Sequence, residues 1–350
     1  MRILILSFYY PPDLSAGSFR VKALVDALQI EGGKALQIDV ITTMPNRYRS
    51  HLADAAEYEE HDGVKIRRIV LPAHQSGMLD QARAFAIFAL GVWGATQGKR
   101  WEIVFATSSR LMTAAMSVQI ARRARAPLYL DIRDLFTDTM GDLLADSALK
   151  VFLPAFGWLE KRSLNAAQRV NMVSAGFLPH AKVLAPKQSF RTFTNGIDDD
   201  FLALDFSKPE TQQQDLPLVV YAGNMGEGQG LHRVIPDAAR RLVGKARFRL
   251  IGDGGCRAQL ENALADAKVG NVEICDAVQR VALFEHYRQA DILFLHLNDH
   301  PAFQKVLPSK IFEYAATGKP ILAGVAGYPA EFLRDRVPGC EVFEPCDAVA

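Results

Sequence analysis

The chain has 350 residues, 40 Lys and Arg against 39 Asp and Glu, and a formal net charge of +1. That balance excludes recognition of nucleic acid or of an acidic partner through bulk charge. Single hydrophobic cores stop growing near about 250–300 residues, so the length predicts two domains.

The N-terminus enters at once a strand, Arg2–Ser7, too short for a signal-peptide core and followed by no small-residue cleavage site. Further strands are predicted over Gln37–Thr42, Val64–Val70, Ile103–Ala106, Leu128–Asp131, Arg169–Val173 and Ser189–Phe193. Helical patterns fall over Ser18–Gln29, Leu79–Gln97, Leu111–Arg123 and Phe152–Ala167. The rhythm restarts with strands over Leu218–Tyr221, Arg247–Ile251, Val272–Ile274, Ile292–Leu295 and Ile321–Ala323. Helices are expected near Gly230–Leu242, Arg257–Ala267, Ala282–Gln289 and Lys310–Ala316. Alternation of this kind gives parallel sheets covered by helices, an α/β class. The polar segment 207–217 reads as the linker between a first domain, 1–206, and a second, 218–350. The second domain reads as five strands, and 347–350 looks like the opening of a further helix, so a truncated chain is expected. Ligands of doubly wound sheets bind at the carboxyl ends of strands, which makes the cleft between the domains the expected site.

The longest apolar stretch, Ala84 to Ala95, falls short of the ~20 residues that span a bilayer. Cys256, Cys275, Cys340 and Cys346 form no CxxC pair and have no His at ligand spacing, so free thiols in a cytoplasmic, reducing compartment are expected. His180, His286, His296 and His300 have neither HExxH nor DxD company, and no metal is expected. No nucleophile elbow accompanies a His. The runs Arg67-Arg68 and Arg122-Arg123-Ala124-Arg125 read as solvated faces, with a membrane-surface role as the alternative.

Four segments carry chemistry. Residues Tyr9–Arg20 lead from a strand through Pro11-Pro12 into a helix, where Gly17 with Ser18 admits close approach of a phosphate and Arg20 adds charge; a plain βα loop fits equally. Asp131-Ile132-Arg133-Asp134 ends an apolar strand, with a structural Asp–Arg pair as the alternative. Tyr221–Gly230, directly after a strand, holds four glycines including Gly223, together with Asn224 and Gln229, and a second loop begins at Gly252. Neither is GxGxxG in register, which argues against a dinucleotide. Pro308–Pro320 reads as a helix start, a short helix and a stop, with Ser309 and Lys310 in the first turn and Glu313 one turn in. A cation at a helix start is disfavoured unless an anion is also present, so Lys310 points to an anionic ligand; an ordinary amphipathic helix with a solvated Lys fits this segment equally. Asn195-Gly196 reads as a turn.

In this order, FYYPPDLSAGSFR, LDIRDL, VSAGF, TNGID, YAGNMGEGQGL, LIGDGG, ADILFLHL and LPSKIFEYAATGKPIL resemble family-4 retaining glycosyltransferases of the GT-B fold, from Met1 to Ala350. The PSK variant with GNxGxxQGL resembles the branch acting in bacterial surface-polysaccharide synthesis, including N-acetyl-L-fucosamine transferases. The resemblance implies two Rossmann-like domains with an interdomain cleft and a UDP-sugar donor needing no metal. It implies a polyprenyl-diphosphate-linked saccharide acceptor, in O-antigen, capsule or exopolysaccharide synthesis, and hexosyl or hexosaminyl transfer. Glu313 matches the second Glu of the family's E-x7-E motif, which binds the donor ribose, and the first falls on Lys305. The usual Arg and Lys after the first strand of the donor domain fall on Asn224 and Gln229, and the acceptor-side His on Arg133, beside Asp134. Lys310, Arg133 and Asp134 are thereby the expected catalytic residues. Gly17, Arg20, Gly223, Asn224, Gln229, Gly252, Lys305, Ser309, Lys310 and Glu313 are the expected donor contacts. The rivals are a GT-B-fold sugar-nucleotide epimerase and an inactive sugar-nucleotide-binding protein, the latter motivated by Asn224, Gln229 and Lys305. A lipid-linked acceptor would bring Ala82–Trp101, with Phe88 and Trp93, to the inner face of the plasma membrane; the alternative is a buried helix.

Overall fold

Strand β1 (Arg2–Leu6) buries Ile3, Leu4, Ile5 and Leu6 alike, the mark of a central parallel strand covered on both faces. In the computed structural model, which describes residues 1–13, 15–45, 55–72, 78–108, 111–143, 151–207 and 216–349, the chain divides into two units, Met1–Asn195 and Gly196–Ala350. In the first unit β1 is followed by α1 (Ala16–Gly32), β2 (Gln37–Thr43), β3 (Tyr58–His61), β4 (Val64–Ile69), α2 (Met78–Thr96) and β5 (Ile103–Ser108). Then come α3 (Leu111–Ala124), β6 (Leu128–Ile132), α4 (Phe136–Leu143), α5 (Leu153–Ala166), β7 (Arg169–Met172), α6 (Leu178–Leu184) and β8 (Phe190–Arg191). The sheet order is β3-β4-β2-β1-β5-β6-β7-β8, parallel except for the β3–β4 pair, and it reverses direction between β1 and β5. The exposed, polar strand β3 escapes sequence patterning; its signal is the Asp62-Gly63 turn, where both residues take positive φ.

The second unit runs α7 (Asp199–Leu202), β9 (Leu218–Asn224), α8 (Leu231–Arg241), β10 (Arg247–Asp253), α9 (Arg257–Ala267) and β11 (Val272–Cys275). It continues with α10 (Arg280–Gln289), β12 (Ile292–His296), α11 (Lys310–Ala316), β13 (Ile321–Gly324), α12 (Tyr328–Arg336) and β14 (Cys340–Phe343). Its order is β11-β10-β9-β12-β13-β14, all parallel. Counted from β9 this is 3-2-1-4-5-6, the dinucleotide-fold order, with its switch point between β9 and β12.

Four sequence expectations change here. The second unit has a sixth strand, β14, whose four residues after Pro338-Gly339, interrupted by Glu341, are too short to stand out. The division falls at Asn195–Gly196 rather than after 206, because Phe201 and Phe206 pack with Tyr287 and Leu293 in the second unit's core. Most of the expected linker, 208–215, lies outside the described residues. Arg68, expected on a solvated face, is buried and donates to the Pro11 and Ala56 carbonyls and to Glu59. Phe88 is buried against Phe8, so only part of α2 is a surface.

Arg20 ties the first unit together. Its Nε and Nη2 each lie 2.9 Å from one oxygen of Asp131, which is 2% exposed, while Nη1 and Nη2 also donate to the Thr194 and Phe193 carbonyls. Asn171 Nδ2 donates to Asp131 at 2.7 Å and Thr107 Oγ1 at 3.2 Å, so the buried carboxylate is fully solvated by protein. Removing one member of such a pair strands the other's charge. Asp131→Asn is therefore expected to cost about 3–5 kcal/mol in urea denaturation. Lys22→Ala, which breaks the exposed Lys22–Asp26 pair, should cost no more than about 0.5 kcal/mol in the same assay.

Candidate functional site

Two glycine loops meet at the carboxyl ends of β9 and β10. Gly252 has φ +148, and a Cβ there would drive into the backbone of Gly223, itself at φ +158, so the chains approach as only glycine allows. Met225 N–H donates to the Asp253 carbonyl at 2.8 Å and Cys256 N–H to the Met225 carbonyl at 2.8 Å, which joins the loops. Asn224 Nδ2 donates to Gln229 Oε1 at 2.7 Å, and the same oxygen accepts the Gly226 N–H at 3.3 Å. These two amides, where the family pattern has an Arg and a Lys, thus hold the loop to itself.

Across the switch point, α11 sets Lys310 and Glu313 one turn apart. Lys310 Nζ donates to Glu313 Oε2 at 2.7 Å and to the Tyr287 hydroxyl at 3.0 Å, and that hydroxyl donates to Glu313 Oε2 at 3.0 Å. Tyr287 is fully buried against Tyr314, ring centroids 5.6 Å apart. Burial, then the Glu313 charge, pushes its phenol well above the ordinary tyrosine range, so it remains a donor at every working pH. Two of the three Lys310 N–H groups are engaged among the described residues, and both bonds into Glu313 converge on Oε2. The Lys310 side chain reaches the β9 loop: a Cβ on Gly223 would lie 3.8 Å from its Cε. Tyr314 fixes the strand end, its hydroxyl accepting the Ala222 N–H at 3.1 Å. Sequence reasoning singled out neither tyrosine; the only signal is a polar-tipped ring at an apolar position of α10 and of α11.

Ser309 precedes α11 without a side-chain capping bond, and Lys305 ends a 3-10 turn, Phe303–Lys305, on the approach to that helix. The structure thus gathers Gly223, Asn224, Gln229, Gly252, Lys310 and Glu313 at one end of the second sheet. In the first unit, Gly17 and Arg133 come together, since a Cβ on Gly17 would collide with the Arg133 guanidinium. Ser15, rather than a residue nearer Gly17, caps α1 through its hydroxyl. Asp134 is exposed beyond β6. Arg20 departs from expectation: both carboxylate oxygens of Asp131 and two carbonyls occupy its guanidinium, so its evident work is structural. Asp131 accordingly pairs with Arg20. Among the described residues, the side chains that could together hold a metal are Glu227, His232 and Cys256.

His296, at the end of β12, braces this site from below. Its Nδ1 lies 2.6 Å from the Gln229 carbonyl, and its Nε2 accepts the Cys346 N–H at 2.9 Å. The two partners demand a neutral ring with the proton on Nδ1, because an N–H on Nε2 would face another donor. Burial lowers its pKa to about 4. A depressed folded-state value means that the unfolded chain binds the extra proton first. The stabilisation is full above about pH 6.5 and is lost as pH falls toward about 4, on the order of 3 kcal/mol over that window. Chemical denaturation of wild type should therefore lose more stability between those limits than His296→Leu does; equal losses in the two proteins would contradict it.

Residues 18–185 match the glycosyl transferase 4-like domain, and residues 216–350 match glycosyl transferases group 1. Over 365 aligned positions the chain is 25% identical to an Escherichia coli (strain K12) protein named for glycosyl transfer in colanic acid biosynthesis, covering 98% of this chain and 86% of that one. Sucrose-phosphate synthase from Thermosynechococcus elongatus superposes with a TM-score of 0.73 at 14% identity, over 99% of this chain and 87% of that one. Anabaena HepE, solved in complex with UDP-glucose, gives 0.67 at 14% identity over 99% and 86%. The first matched segment holds β2 to β7 of the first sheet, and the second holds the whole second sheet with the glycine loops and the Lys310–Glu313 cluster. This chain is a glycosyltransferase of the GT-B fold, related to the sugar transferases of bacterial polysaccharide biosynthesis.

Proposed function

We propose that the enzyme transfers a sugar from a UDP-sugar to a lipid-linked saccharide acceptor, with retention at the anomeric carbon. The observation that carries this reading is the Tyr287–Lys310–Glu313 cluster at the β9–β12 switch point, beside Gly223. Glu313 Oε1, opposite the oxygen that takes both internal bonds, accepts the hydroxyls of the ribose. The remaining Lys310 N–H and the backbone of the Gly223 and Gly252 loops meet the diphosphate, with Ser309 and Lys305 beside it. Asn224 and Gln229 act by shaping the loop. HepE, of the same fold, holds UDP-glucose, which supports a uridine donor here.

In the reaction the bond from the anomeric carbon to the departing phosphate oxygen breaks as the acceptor oxygen bonds to that carbon on the same face. The acceptor proton passes to the departing phosphate oxygen, so no separate base is required. Lys310 stabilises the charge that develops on the leaving diphosphate. Arg133 and Asp134, with Gly17, serve the acceptor. N-acetyl-L-fucosamine is the sugar favoured by the PSK and GNxGxxQGL resemblance.

A lipid-linked acceptor is supported by one face of the first unit. Leu90 is 72% exposed and Trp93 41%, Arg123 stacks 3.8 Å from the Trp93 ring, and a groove of about 370 Å³ beside them is lined by Phe85, Met112, Met116 and Trp158. Such a mixture of rings and cations suits a membrane interface. No helix among the described residues is long and apolar enough to cross a membrane. The expected behaviour is transfer from UDP-N-acetyl-L-fucosamine or another UDP-sugar to a polyprenyl-diphosphate-linked saccharide in vesicles, followed by NMR of the product anomer. Lys310→Met and Glu313→Gln should each lower kcat/KM by roughly 10²–10³. Epimerised donor without acceptor, or bound donor that never turns over, would overturn the reading.

A further inference from the structure

We propose that Glu227, His232 and Cys256 form a binding site for a transition-metal dication of the zinc class, which clamps the glycine loop 226–230 to the start of α9. The three residues come from separate segments: the 3-10 turn Glu227–Gln229, the first turn of α8, and the residue before α9. No sequence spacing announces them. Their donor atoms nevertheless lie within 4.8 Å of one another, so a modest closure brings each to the roughly 2.0–2.3 Å at which zinc binds S, N and O.

Two details point to a ligand rather than to chance proximity. The Glu227 carboxylate is aimed: Oε1 accepts from Asn298 Nδ2 at 3.0 Å, and Oε2 accepts from the Cys256 thiol at 3.5 Å. Asn298 is 1% exposed and is itself fixed by Arg233, whose Nη1 lies 2.6 Å from its Oδ1. This is the outer hydrogen bonding that orients ligands in metal sites. The second detail is the His232 imidazole, whose Nδ1 is buried and has no hydrogen-bond partner among the described residues. A buried ring nitrogen without a partner is costly unless something engages it, and this imidazole has one ring nitrogen within 4.8 Å of the Glu227 and Cys256 donor atoms. One sulfur, one nitrogen and one oxygen donor select Zn²⁺ or Co²⁺ over Mg²⁺ or Ca²⁺, which take oxygen. Three protein ligands leave a fourth position for water. On binding, the Cys256 thiol releases its proton to solvent, and the Cys–Glu hydrogen bond is replaced by two bonds to the metal.

The test needs no sugar donor, so its outcome is independent of the transfer reaction. The full-length protein, stripped by chelator, is titrated with Co²⁺ and followed by absorption. The expected result is a thiolate-to-cobalt charge-transfer band with tetrahedral visible bands, the former absent in Cys256→Ser. Affinity should fall roughly 10–100-fold in His232→Ala. Zn²⁺ should raise the Tm of wild type, Mg²⁺ should not, and metal-free melting of the variants serves as the folding control. On wild type alone, Zn²⁺ should slow alkylation of Cys256, mapped by mass spectrometry, without slowing that of Cys340. A charge-transfer band that survives Cys256→Ser, an affinity unchanged in His232→Ala, or Cys256 alkylation indifferent to Zn²⁺ would overturn the proposal.

Discussion

The buried hydroxyl of Tyr287 is the constraint that orders the Lys310–Glu313 pair of the second unit. A lysine and a carboxylate one turn apart on a short, partly exposed helix would ordinarily form a loose pair worth little. Here a phenol fixed by packing against Tyr314 and Phe201 presents its O–H to both. Among the described residues, the ammonium is thereby held over the end of β9 with one N–H left, and both internal bonds to the carboxylate fall on Oε2. A charged pair that is already oriented loses little entropy when an anion arrives, which would preorganise the proposed donor site.

The backbone beneath follows the same logic. Gly223 and Gly252 let β9 and β10 end in mutual contact, and the loop that continues from β9 is held by Asn224, Gln229 and His296 in turn. Neutral groups do this holding, so the loop presents N–H donors without adding side-chain charge of its own at positions 224 and 229. Lys310 brings a positive charge next to Gly223 at the β9–β12 switch point, where the donor site is proposed. In the first unit the parallel is Arg20. Placed by sequence beside a phosphate, it instead neutralises a buried aspartate at the centre of its sheet.

Much of the architecture was legible because apolar runs such as Ile3–Leu6 and Leu218–Tyr221 are buried on both faces and alternate with amphipathic helices. The misses have physical causes. Strand β3 is polar because it is an exposed edge, and β14 has four residues, so neither produces a hydrophobic period. Lys310, Glu313 and the glycine loops could be read from local spacing, since helix starts and glycine clusters are local signals. Tyr287, His296 and Asn298 could not, because their roles arise from partners as many as 71 residues away. Likewise Arg68 and Arg20 look like surface charge until the fold supplies the carboxylates and carbonyls they meet.

Calorimetric titration of UDP, against GDP and ADP, into wild type, Lys310→Ala, Glu313→Ala and Tyr287→Phe tests the central claim most directly. The account predicts selective binding of UDP by wild type and roughly tenfold or greater weakening in both charge variants, the scale of losing a charge-assisted hydrogen bond. It predicts a smaller loss in Tyr287→Phe, which keeps the ring and frees the pair. UDP bound equally well by all four proteins, or no diphosphate bound by wild type, would contradict it.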